Sequence, residues 1–78
     1  MSEKFRWIKA DIDISDFYDK LPKIIKQTIS EAEQADRDDD LGTYVCLCDD
    51  LECRTKLYVP DRISEKEWDL LCEKYSIY

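Results

Sequence analysis

Between Ile8 and Ile14 apolar and polar residues alternate: Ile8, Ala10, Ile12 and Ile14 are separated by Lys9, Asp11 and Asp13. A period of two with one polar side predicts a strand. From Phe17 the spacing lengthens. Phe17, Leu21, Ile24, Ile25, Thr28, Ile29 and Ala32 fall on one helical stripe, with Asp13 or Ser15 as the cap. Pro22 interrupts that stripe. Either Phe17–Lys20 is a separate turn and Pro22 opens the helix, or the helix is kinked there. The helix is expected to fade in Asp36-Arg37-Asp38-Asp39-Asp40, a solvated loop ending at Gly42.

From Gly42 to Pro60 two stretches rich in Tyr, Val, Thr and Cys flank Asp49-Asp50-Leu51-Glu52, which predicts a β-hairpin. Setting Cys48 opposite Cys53 pairs Cys46 with Thr55 and Tyr44 with Leu57. The core side then carries Tyr44, Cys46, Cys48, Cys53, Thr55, Leu57 and Val59. The other side carries Val45, Leu47, Arg54, Lys56 and Tyr58. Pro60, which has no N–H to donate, ends the second strand. Beyond it, Ser64 and Glu67 have the spacing of a capping box, and Ile63 with Trp68 that of a hydrophobic staple. The helix that follows places Trp68, Leu71, Cys72 and Tyr75 on one face.

The expected order is β-α-β-β-α, an α+β domain spanning residues 1–78. Right-handed crossover puts three strands in one sheet with both helices on one face. Residues 1–4 are expected to fray. One sheet face would then stay open, carrying Phe5, Trp7, Val45, Leu47 and Tyr58, and exposed apolar strips of this kind serve association. A protein partner or a second copy of the chain is the expected occupant.

Length confines these elements to a single core, because 78 residues bury only about 60–65% of the surface of the unfolded chain. Hydrophobic residues at 44% and aromatic ones at 12% exclude a disordered chain. Histidine is absent and glycine occurs once, which excludes His-based triads, His metal ligands and phosphate-cradling glycine loops. A lone Cys nucleophile would lack a His base, and no carboxylate pair has an apolar setting that marks it for acid–base work. The expectation is a protein that is not an enzyme.

Charge narrows the partners. A net charge of −7 opposes direct nucleic-acid binding, which relies on Lys and Arg, and anionic membranes, and favours a basic protein surface. The acids gather at the end of the first helix: Glu31, Glu33, Asp36, Asp38, Asp39 and Asp40. Negative charge is disfavoured at a helix C-terminus, so this cluster breaks a local rule and is a candidate docking surface. Asp36-x-Asp38-x-Asp40 has the opening spacing of a calcium loop, but Leu41 and Leu47 stand where that loop needs Gly and a bidentate Glu. Lys20, Lys23 and Lys26 form a basic ridge expected to neutralise Asp49, Asp50 and Glu52 at the hairpin tip.

Cys46, Cys48, Cys53 and Cys72 are the remaining chemistry. No apolar run has the length of a signal core or a membrane span, so a cytoplasmic location and reduced thiols are expected. As buried thiols they act as small hydrophobes. Converging, they could hold a tetrahedral zinc, and Cys48 with Cys53 could close a disulfide. No cofactor is expected otherwise. The sequence therefore reads as a small acidic interaction domain, with two alternatives: a zinc-stabilised mini-domain, and a nucleic-acid mimic that inhibits a host nuclease or defence protein.

Overall fold

The computed structural model describes residues 5–76; the fraying expected for residues 1–4 lies outside them. Four helices are found among the described residues: α1 (Ser15–Tyr18), α2 (Lys23–Arg37), α3 (Leu41–Lys56) and α4 (Glu65–Lys74). No strand occurs among those residues, so the α+β class and its three-stranded sheet give way to an all-helical arrangement.

The expected hairpin is the helix α3, and local chemistry explains why. Asp40 caps it, its carboxylate accepting the Thr43 N–H at 3.2 Å. Tyr44, Leu51 and Thr55 are buried at i, i+7 and i+11, with half-buried Cys48 at i+4, a helical stripe read along the same residues. The supposed turn, Asp49-Asp50-Leu51-Glu52, has no Gly, Asn or Pro to supply hairpin geometry. Leu51, assigned to that polar turn, is 2% exposed, and Leu57, assigned to the core, is 83% exposed. Pro60 follows a cis peptide bond in the turns that connect α3 to α4.

Pro22 resolves as a break. It occupies the N-cap position of α2, leaving α1 as a separate turn. Along α2 the buried positions are Ile25, Thr28, Ile29, Ala32, Ala35 and Asp36, while Ile24 faces outward. The helix does not fade at Asp36 but stops at Arg37 in a Schellman motif. Asp39 N–H donates to Asp36 O at 3.1 Å and Asp40 N–H to Ala35 O at 2.9 Å. Asp39 takes the left-handed conformation, φ 58°, usually given to Gly and tolerated by Asp. Three residues thus turn the chain from α2 directly into α3, and the two helices pack together.

The expected capping box of α4 is present in full. Glu67 N–H donates to Ser64 Oγ at 3.1 Å, and Ser64 N–H donates to Glu67 Oε1 at 3.0 Å. Ile63, Leu71 and Tyr75 are buried, with Trp68 packed against the core at its edge. Trp68 also donates its indole N–H to Glu52 O, tying α4 to α3 at 3.2 Å.

The alternating segment before α1 is not a strand either. Ile8 and Ile14 are buried, but Ala10 is exposed and the backbone bends between them. Lacking a ladder, its polar groups need other partners, and two charged side chains supply them. The Asp36 carboxylate accepts from Arg6 N at 2.7 Å, Trp7 N at 2.8 Å and Ile8 N at 3.1 Å. Lys74 Nζ donates to Ile12 O at 2.6 Å and Lys9 O at 2.9 Å, while Lys9 N donates to Lys74 O. Burial lowers the Lys74 pKa, opposed by Glu33, Asp13 and Asp11 nearby. The segment is thus strapped across the helices by one acid and one base. Tyr44, fully buried, completes the join. Its ring meets Trp7 at 5.1 Å and its hydroxyl donates to Ser76 O at 3.1 Å.

Candidate functional site

The six acids singled out in the sequence do not act as one surface. Asp36 is fully buried and devoted to the strap, so it can serve neither a partner nor a calcium ion. Asp39 sits beside Arg6, with Oδ1 3.5 Å from Nε, and Asp40 caps α3. Asp38 accepts from Gln34 Nε2 at 3.1 Å. Glu33 is half-buried toward Lys74 and Tyr75. Glu31 is exposed, and among the described residues no hydrogen bond or ion pair engages its carboxylate.

What remains is a groove of about 370 Å³ between α2 and α3. Ala35 and Leu47 line its apolar part, Glu31, Asp38 and Asp40 its acidic part, with Gln34 and Thr43 between them. Among the described residues no Lys or Arg lines it. The geometry can hold a short apolar side chain with positive charge flanking it.

The open apolar face is a correction, since without a sheet its members separate. Phe5 packs against the core beneath Arg37, 5.5 Å from the ring centroid, and Trp7 packs against the core beside Tyr44. Leu47 and Tyr58 are half-buried on the same core, and only Val45 of the five is exposed. The basic ridge also has other partners. Lys20 Nζ lies 2.8 Å from Glu67 Oε2, Lys26 donates to Asp19 O at 3.1 Å, and Asp50 pairs with Arg54 at 3.8 Å.

The thiols do not converge. Cys46 and Cys53 point outward from α3, while Cys48 and Cys72 are half-buried, and all four are free. Among the described residues no three Cys, Asp or Glu side chains gather closely enough to hold a metal, so the zinc alternative loses its geometry. The Cys48–Cys53 disulfide loses its own with the hairpin. Burial raises the pKa of Cys48, and raises that of Cys72 to about 11 with help from Glu52 and Asp69. Both thiols are therefore held protonated, the reverse of what a nucleophile requires. Burial likewise raises the hydroxyl pKa values of Tyr44 and Tyr75.

Two roles escape the sequence reading: Asp36 as the buried acceptor of the strap, and Lys74 as its donor. Asp36 could have been found, because it continues the stripe Ile25, Ile29, Ala32 by one more turn and so places an acid on an apolar face. Lys74 gave no such signal, because its acceptors lie more than 60 residues away. Among the described residues no helix is long and apolar enough to cross a membrane. No protein-family model, curated protein or solved structure matches the chain.

Proposed function

We propose that this chain is a non-enzymatic binding domain that takes a basic segment of another protein into the α2–α3 groove. The observation that carries this reading is the lining of that groove, apolar at Ala35 and Leu47 and acidic at Glu31 and Asp38, with no cation among the described residues that line it. Attraction by a chain of net charge −7 would bring a cationic segment in faster than a neutral one. The apolar floor then supplies contact that charge alone does not. Absence of His and the protonated state of the half-buried thiols support a binding role over catalysis.

The test is selection of displayed peptides on the full chain, followed by amide chemical-shift mapping of the peptides recovered. Basic peptides carrying one apolar anchor should shift Gln34, Ala35, Thr43 and Leu47. Glu31→Gln with Asp38→Asn, which spares the Asp40 cap, should weaken them between about twofold and thirtyfold. Unchanged affinity in that variant, or shifts confined to other faces, would overturn the reading.

A further inference from the structure

A second concave site lies on the other side of α3, where it meets α4. This cleft has a volume of about 190 Å³, below the roughly 300–1,000 Å³ of sites for whole small molecules. It suits one side-chain-sized group. Its floor is apolar: Leu51 and the Tyr75 ring are buried, and the Cys48 and Cys72 thiols lie half-buried beside them. Its rim is acidic. Asp49 and Glu52, three residues apart on the same face of α3, both line it.

Several acids of the chain are already engaged. Asp36, Asp38, Asp39, Asp40, Asp50 and Glu67 each have a hydrogen bond or ion pair. Among the described residues no hydrogen bond or ion pair engages the carboxylates of Asp49 and Glu52. Their field reaches the floor, since Asp49 raises the Cys48 pKa and Glu52, with Asp69, that of Cys72. At the Ser76 end of the cleft Lys9 Nζ already donates to Ser76 Oγ at 2.8 Å. An incoming cation therefore belongs at the Glu52 end.

We propose that the α3–α4 cleft binds a primary alkylammonium group, of the kind a lysine side chain carries, with its methylenes over Leu51 and the thiols and its head between Asp49 and Glu52. The methylene stem covers apolar surface while the charge stays at the wet rim, as such side chains do elsewhere. This site is separate from the α2–α3 groove and does not depend on it.

Amide chemical-shift titrations of the full chain with n-hexylammonium, hexan-1-ol and hexanoate test the assignment. The ammonium should give saturable shifts at Cys48, Leu51, Glu52 and Cys72, with at least threefold tighter binding than the alcohol and no comparable shifts from hexanoate. Asp49→Asn with Glu52→Gln, both at exposed positions, should reduce ammonium binding to the level of the alcohol. Glu31→Gln with Asp38→Asn should leave it unchanged. Equal binding of ammonium and alcohol, preferential binding of hexanoate, or ammonium shifts confined to the α2–α3 groove would each overturn the proposal.

Discussion

Replacing Asp36 by Asn removes one acceptor oxygen and turns an NH₂ group toward backbone N–H groups that already point at it. Asp36 holds three of these, at Arg6, Trp7 and Ile8. Hydrogen bonds to a charged group contribute about 1.5–3 kcal/mol each. Arg6 is exposed and Trp7 half-buried, so their N–H groups can find water again, whereas that of Ile8 is buried. Removing negative charge from the last turn of α2 returns about 0.3–1 kcal/mol. The net expected loss is about 2–3 kcal/mol for Asp36→Asn, and about 3–5 kcal/mol for Asp36→Ala, which has no acceptor at all. A domain of this size is stable by about 4–12 kcal/mol in total, so either change removes a large share. With a urea slope of about 1 kcal/mol/M, Asp36→Asn lowers the midpoint by about 2–3 M. Urea unfolding followed by tryptophan fluorescence measures the shift, and hydrogen exchange reads protection at the Ile8 amide directly. A change under about 0.5 kcal/mol, or an Ile8 amide as protected as before, would refute the strap argument.

Two other expectations follow from the shifted ionisations. With its pKa near 11, the Cys72 thiol is about one part in a thousand ionised at pH 8; iodoacetamide should label it more than tenfold more slowly than exposed Cys46 and Cys53, by peptide mass spectrometry, and equal rates would contradict its burial. The Lys20 ammonium, and then the Ser64 backbone N–H, hold the Glu67 carboxyl below its ordinary range. A depressed carboxyl pKa stabilises above the unfolded value of about 4.3 and ceases to do so as pH falls through the folded value. Lys20→Gln should therefore be less stable than the parent at pH 6–7, the gap closing on acidification; a gap that does not vary with pH would show that the pair is not its source.

Legibility followed the range of the forces involved. The α4 cap, the stripe of α2 and the break at Pro22 are local, and each was readable within a few residues. The 42–60 stretch was misread because Tyr44, Cys46 and Cys48 satisfy a period of two while Tyr44, Cys48, Leu51 and Thr55 satisfy 3.6. Asp40 before the run and the missing turn residues at 49–52 were the signals that decide between them. The same error created the open face of Phe5, Trp7, Val45, Leu47 and Tyr58 and the cysteine cluster. Of the acidic candidates, Glu31 and Asp38 stay available on the groove, while Asp36 proved internal. Lys74 and the α3–α4 cleft depend on contacts between distant parts of the chain, which no local pattern encodes.

The strap has a consequence for the order in which the molecule assembles. Its anchors are separated from it by about 30 residues at Asp36 and more than 60 at Lys74, and closing loops of that size carries an entropic cost that must precede any gain. The α2–α3 pair, joined by three residues, meets no such cost. The N-terminal segment is therefore expected to dock after α2 and α4 have brought their opposite charges into place.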